Sequence, residues 1–213
     1  MDINWYGLSC FRITERNKTT VLTDPYSLSV GVEPSGTTKT DVVTMSHDAP
    51  GHSSMDLIKG DPYILRTPGE YEIGGTFITG IPLHYVDAAV QRYNVGYLIN
   101  YDGLTVFHAG DLAFVPEQSV VEGLGEVNVL LLPVGGGNSL TAGQASDVVA
   151  LIEPAYIVPM HYAIPGLNSD LEDVEKFLKV MGVSSVQEED TLKVSSGSLP
   201  EQPQVILLQP GIQ

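Results

Sequence analysis

A chain of 213 residues, 43% of them hydrophobic, has the length and apolar content for one folded domain over residues 1–213 and excludes a disordered one. Its 26 acidic and 10 basic residues give a formal charge of −16, a field that repels phosphate backbones and argues against a nucleic-acid partner. Cys10 is the single cysteine, so no internal disulfide is possible; with no signal-peptide pattern and no run near the ~20 apolar residues of a membrane helix, the expectation is a cytoplasmic protein without membrane contact.

The first half alternates short strand-like runs with polar or Gly/Pro turns. Residues 5–13 and 20–23 read as strands around the turn Glu15-Arg16-Asn17-Lys18, and residues 41–45 as a third. Residues 53–59 predict one or two helical turns closed by Gly60. Residues 63–66 and 71–81 read as strands, with Gly74-Gly75 as a turn or bulge. Residues 93–100 and 104–108 flank Tyr101-Asp102-Gly103, a hairpin signal. The second half changes character. Residues 116–124 predict a helix with proline in its first turn. The continuous apolar run 127–134 suits a strand covered on both faces. Helices follow at 141–152 and 170–180, with strands at 155–160, 184–187, 192–194 and 205–208. Strands first, then strands alternating with helices, predict two packed sheets with helices outside.

Four apolar runs end on a residue able to hold a metal: His47, His84, Asp111 and His161. His52 follows in the loop after His47, and Asp87 stands near His84. A strand fixes the direction of its last side chain, so such residues can converge on one edge of a sheet. His47 and His52, five apart, would sit about 140° apart on a helix, but a loop holding Pro50 and Gly51 can bring them together. His108, inside a strand, reads as a structural or supporting histidine. Cys10 reads as a core residue, Gly135-Gly136-Gly137 as a turn at a cleft rim, and Glu70 with Glu72 as one polar strand face. Asp48 reads as a loop hydrogen-bond acceptor, while Asn94 and Tyr162 are candidates to hold a substrate.

The stretches WYGLSCF (5–11), TDPY (23–26), 43–52, PGEYEIGG (68–75), His84, 92–94, HAGDL (108–112), LLPVGG (131–136) and PMHY (159–162) together resemble the metallo-β-lactamase superfamily. Within it they resemble the branch of L-ascorbate 6-phosphate lactonase-like zinc-dependent hydrolases. The resemblance implies an α/β (α+β) fold, a four-layer αββα sandwich with metals in a cleft along one edge. The family's loop His-x-His-x-Asp-His is matched by His47 and His52, with Ala49 and Gly51 at the second His and the Asp. His84 and His161 match later histidines and Asp111 the bridging carboxylate. Leu8 and Phe114 stand where the family often has histidines. The resemblance leaves two incomplete triads, His47/His84/Asp111 and His52/His161/Asp111. It implies one ion, zinc or else manganese or iron, rather than two. The expected activity is hydrolysis of an ester, lactone, amide or phosphoester of a small molecule, with Asp111 as the catalytic carboxylate. The alternative is an inactive relative, with or without metal, serving as a binding or assembly module. Self-association into a homo-oligomer is a further expectation.

Overall fold

The computed structural model describes residues 1–35, 38–87 and 90–212; the side chains at 38, 85–87, 90 and 91, Asp87 among them, lie outside the described residues. The chain opens with β1 (Asp2–Trp5) and β2 (Phe11–Thr14), an antiparallel pair in register from Asp2↔Thr14 to Trp5↔Phe11. The single strand expected over 5–13 is therefore a hairpin. Its turn is closed by Cys10 N–H to Gly7 C=O at 3.0 Å, and Leu8 takes φ 48°. The run is mostly apolar, and Gly7 and Ser9 were its local signs of the break.

β3 (Val21–Thr23), β4 (Thr38–Lys39), β5 (Val42–Thr44), β6 (Ile58–Lys59) and β7 (Tyr63–Leu65) follow. β3, β5 and β7 are parallel neighbours, so the segments between them are crossovers on one face of the sheet. Among the described residues neither crossover forms an α-helix. One holds the single-turn 3-10 helix Leu28–Val30, and β4 pairs with β6 between them. Residues 53–59, expected as helix, form turns leading into β6. Ser54 Oγ accepts Asp56 N–H at 3.3 Å, a local bond that competes with a helical one. These loops cover a small outer core of Leu8, Cys10, Leu22, Tyr26 and Val32. Val21, one residue from Leu22, faces the main core, as strand alternation requires.

The larger sheet begins with β8 (Gly69–Ile73), β9 (Thr76–Asp87), β10 (Val90–Tyr101) and β11 (Leu104–His108), each antiparallel to the one before. Then come α1 (Gln118–Leu124), β12 (Val129–Pro133), α2 (Ala142–Ile152), β13 (Tyr156–Met160) and α3 (Val174–Val180). β11, β12 and β13 are parallel and adjacent in one direction, so right-handed crossovers place α1 and α2 on the same outer face. α2 starts with a capping box in which Thr141 and Gln144 satisfy each other's N–H groups, worth about 1 kcal/mol. All five residues of β12 are buried, as its apolar run predicted. β14 (Gln187–Glu189), β15 (Leu192–Lys193) and β16 (Gln204–Leu208) close the chain. Strand order is β15-β1-β2-β3-β5-β7 in one sheet and β14-β16-β13-β12-β11-β10-β9-β8 in the other. One continuous core runs between the sheets and under the helices, from Trp5 and Phe11 through Tyr97 and Phe107 to Leu131, Val148 and Phe177. This is the mixed α/β, two-sheet architecture expected from the sequence, with the smaller sheet covered by loops. Among the described residues no helix is long and apolar enough to cross a membrane.

Candidate metal centre

The C-terminal ends of the parallel strands in both sheets deliver the site. Asp24 follows β3, Ser46 and His47 follow β5, Asp111 follows β11, and His161 follows β13. Loop ends beyond parallel strands are where open α/β sheets place ligands, because the chain must turn there anyway. Two glycines permit the close approach. Gly110 has φ 59°, and a Cβ on it would lie 2.3 Å from Asn94 Oδ1 and 2.6 Å from Ser46 Cβ. A Cβ on Gly135 would lie 2.2 Å from the carbonyl oxygen of His161, which accepts Gly135 N–H at 3.1 Å.

Three side chains converge on Asp111. His52 Nε2 is 3.2 Å and His47 Nε2 3.5 Å from Asp111 Oδ2, while His161 Nε2 is 3.4 Å from Oδ1. The ligand atoms of His47, His52 and Asp111 all lie within 4.8 Å of one another. Atoms bound at 2.0–2.1 Å to a tetrahedral zinc stand roughly 3.3–3.4 Å apart, so the two Oδ2 distances match the edges of such a polyhedron.

The far side of each imidazole fixes its tautomer. Asp24 Oδ1 accepts Ser46 N–H at 2.7 Å, and its Oδ2 accepts Ser46 Oγ–H at 2.6 Å and His52 Nδ1–H at 2.8 Å. Ser46 Oγ, having given its proton to Asp24, accepts His47 Nδ1–H at 3.0 Å. Both histidines therefore turn an Nε2 lone pair toward Asp111 once neutral. Carboxylate-backed imidazoles of this kind are the usual support of a metal ligand. Lone pairs facing a carboxylate at this range repel unless a cation stands among them. Asp111 Oδ1 and His161 Nδ1 are buried without a hydrogen-bond partner. The two imidazole Nε2 atoms and Asp111 Oδ2 form a donor set that fits a metal ion.

The electrostatics agree. Burial pulls against a charged His52, but Asp111 and Asp24 outweigh it and raise the imidazole to about 10. Burial likewise opposes ionisation of Asp111, yet His161, His52 and His47 hold its carboxyl well below the usual carboxylate range. Asp24 is lowered in the same way, burial being outweighed chiefly by His52. His161 is shifted down, with burial the largest cause, and so stays neutral near neutral pH. Among these groups a metal or a proton must hold the histidines and carboxylates together.

The structure joins His47, His52, Asp111 and His161, and does not bring His84 to them. His84 lies inside β9 rather than at its end, paired with Tyr93. Leu83 and Asn94, paired one step along, are buried, so alternation turns His84 and the exposed Tyr93 to the other face. His84 lines a separate cavity of about 320 Å³ with Phe114 and Pro116. The three-atom group therefore combines His47 from one expected triad with His52 from the other, around the Asp111 that both share. Phe114 leaves the same cleft, whereas Leu8, Ala49 and Gly51 do line the site's own cavity of about 390 Å³.

Neither candidate substrate-holding residue faces open space at the centre. Asn94 is fully buried, and its amide is committed to Asp111 N–H at 3.0 Å and Ala109 C=O at 2.8 Å. It positions the Asp111 backbone. Tyr162 packs its ring on Trp5, with centroids 5.1 Å apart. Asp48 is exposed and lines the neighbouring cavity, away from the cluster. His108 is structural, as expected: its Nε2–H donates to Ser9 C=O at 2.8 Å, while Nδ1 accepts Gly110 N–H at 3.3 Å. Cys10 is buried, Glu70 and Glu72 are exposed on β8, and Gly137 lies on the cavity rim. The sequence reading gave no role to Asp24 and Ser46. Asp24 ends the apolar run Val21-Leu22-Thr23, so the strand-end rule that selected Asp111 also picks it out.

Comparison with known proteins agrees with this geometry. A family model of the beta-lactamase superfamily domain matches residues 2–161. A UPF0173 protein of Pyrococcus furiosus is 29% identical over 199 residues, 84% of this chain and 91% of that protein. A UPF0173 metal-dependent hydrolase of Pyrococcus abyssi is 31% identical over 129 residues, 58% of this chain, and the match spans 57% of that relative's length. The crystal structure of a metallo-β-lactamase superfamily protein of Thermotoga maritima superposes with a TM-score of 0.80 at 29% identity, covering 97% of both chains. By family match, fold and strand-end site alike, the chain belongs to the metallo-β-lactamase superfamily.

Proposed function

We propose that this protein is a metal-dependent hydrolase working with one ion at His47, His52 and Asp111, and that it cleaves an ester, lactone, amide or phosphoester of a small molecule. The observation that carries the reading is the backing of both imidazoles by Asp24 and Ser46, which leaves two Nε2 atoms and Asp111 Oδ2 spaced like the ligands of one metal. Two imidazoles and a carboxylate suit zinc, with manganese or iron as alternatives. A bound ion supplies Lewis-acid activation of water and of the scissile carbonyl or phosphoryl oxygen. With an ion bound, His161, neutral and 3.4 Å from Asp111 Oδ1, would be the group placed to take the proton of the attacking water. Asp111 would help hold the ion, with His161 Nε2 3.4 Å from its Oδ1, and Asn94 positions the Asp111 backbone.

The opposite wall supports the reading of one ion rather than two. A Cβ on Gly51 would touch Leu8 Cδ1 at 3.7 Å. Leucine thus packs against the position where the family's loop carries an aspartate, so apolar surface stands where that ligand would be.

The test is hydrolysis of p-nitrophenyl esters, homoserine lactones and a phosphodiester by protein loaded with one equivalent of zinc, manganese or iron. Turnover should require metal and drop at least about 100-fold in His161→Gln with the ion retained. A fully loaded protein that hydrolyses none of these would leave the fold as a binding or assembly module and end the hydrolase reading.

A further inference from the structure

All four residues of the centre, His47, His52, Asp111 and His161, line one cavity of about 390 Å³, a volume in the range of small-molecule sites. Three loops build its side wall. Leu8 comes from the β1–β2 turn, Val30 from the 3-10 turn after β3, and Leu167 and Leu171 from the segment between β13 and α3. These four side chains belong to the outer apolar core, with Leu8 buried in it and the other three packed against it half-buried. Backbone bonds tie the wall to the centre. Leu8 C=O accepts His161 N–H at 3.1 Å and Trp5 Nε1–H at 2.9 Å, and Val30 C=O accepts Asn168 N–H at 2.7 Å. The wall is therefore in place before a ligand arrives. Ala49 and Gly51 leave a recess beside it, where a Cβ on Gly51 would meet only Leu8 Cδ1. The polar side chains of Asn138, Asn168, Ser169 and Asp170 are exposed and stand at the mouth. Among the described residues no lysine or arginine lines the cavity. Half-buried apolar surface gains by being covered, whereas a charged group pressed against it loses hydration with nothing on the wall to replace it.

We propose that this wall is an acyl pocket. Leu8, Val30, Leu167 and Leu171 receive the short aliphatic chain of an uncharged ester, lactone or amide while its carbonyl lies against His47, His52 and Asp111. The inference rests on the hydrolase reading and narrows its substrate class, leaving the phosphoesters out. Each methylene laid on the wall strengthens binding by roughly three- to fourfold, because it covers apolar surface that water otherwise wets. The recess at Gly51 sets how much chain the wall can take.

The probes are acetohydroxamic and butyrohydroxamic acid, which chelate a metal through the same head group and differ only in the tail. Their binding to zinc-loaded protein and to its Gly51→Leu and Leu171→Asn variants is measured by calorimetry, with zinc content after each titration as the check on folding. Wild type should bind the butyro compound roughly tenfold or more tightly than the aceto compound. Gly51→Leu fills the recess and Leu171→Asn makes the wall polar, so in each the gain should shrink to about threefold or less. Leu171 lies on a segment that supplies no ligand, and its variant carries the comparison if Gly51→Leu, beside His52, loses zinc. Succinohydroxamic acid, with a carboxylate in place of the terminal methyl, should bind wild type roughly tenfold or more weakly than the butyro compound. The same proteins are assayed with p-nitrophenyl acetate and butyrate. The butyrate should have the higher kcat/KM in wild type, and the ratio should fall in the variants. Affinity that does not grow with the tail in wild type, growth that survives in the zinc-loaded variants, or equal or tighter binding of the succinate compound overturns the proposal. Turnover of both esters with no preference for butyrate overturns it too, while leaving the hydrolase reading intact. Tail-dependent binding with turnover of neither ester upholds the pocket and counts against the hydrolase.

Discussion

Asp24→Asn is the sharpest perturbation of the centre, because it changes one atom and reverses a hydrogen bond. Asp24 receives three donors: Ser46 N–H, Ser46 Oγ–H and His52 Nδ1–H, at 2.7, 2.6 and 2.8 Å. An asparagine at 24 has one accepting oxygen. If that oxygen keeps Ser46 N–H, its amide N–H faces His52 Nδ1 and turns the ring to the tautomer protonated on Nε2. That proton occupies the lone pair needed by the ion. If the amide flips, two N–H groups face each other at Ser46, leaving a buried donor unsatisfied at about 1–3 kcal/mol. Either outcome should weaken metal binding by at least the roughly 10–100-fold seen when a ligand's supporting carboxylate is lost, about 1.4–2.7 kcal/mol. The ring nitrogens should report the tautomer change directly by 15N NMR. A chelator competition gives the affinity, with urea unfolding of the metal-free protein as a control for global loss. Unchanged affinity in a folded variant would show that His52 does not bind through Nε2, and the site as described would fail.

Gly110→Ala puts a Cβ against Asn94 and Ser46 at a left-handed φ of 59°, and should destabilise the protein by roughly 2–4 kcal/mol in urea unfolding while loosening metal binding; a shift under 1 kcal/mol would show that the Asp111 turn has slack. The metal-free protein should also lose stability with alkali. His52 titrates near 10 when folded, above its ordinary 6.5, so its contribution is complete below about pH 6.5 and fades as pH rises through about 10. On the acid side, the lowered Asp24 and Asp111 contribute above the ordinary carboxylate range and lose their effect as pH falls through their folded values. Thermal melts of metal-free wild type and His52→Gln from pH 6 to 10.5 check the alkaline limb; parallel curves would remove His52 as its source.

The strand ends were legible because apolar runs broken by Gly, Pro or a charged residue mark where a chain leaves a sheet. That rule found His47, Asp111 and His161 and, applied evenly, also finds Asp24. It misplaced His84, where the apolar run continues within a twelve-residue strand and the side chain's face depends on register. A one-residue offset separates His84 from Leu83, which faces the interior, and no local pattern of Ile81-Pro82-Leu83-His84 records which residue pairs with Asn94. The convergence of His47 and His52 was open from spacing alone. It is settled by Asp24, 28 residues before His52, whose carboxylate sets both rings. The hairpin at Gly7 and the loops over the smaller sheet were hidden for the opposite reason: tertiary packing around Leu8 and Leu22 overrides weak local preferences.

Metal stoichiometry tests the central claim most directly. Elemental analysis of purified protein, before and after incubation with zinc, manganese and iron followed by desalting, should give one ion per chain. The ion should persist in His84→Ala and vanish in Asp111→Ala. Two ions per chain, none under any loading condition, or loss of the ion in His84→Ala would contradict a single centre built on His47, His52 and Asp111.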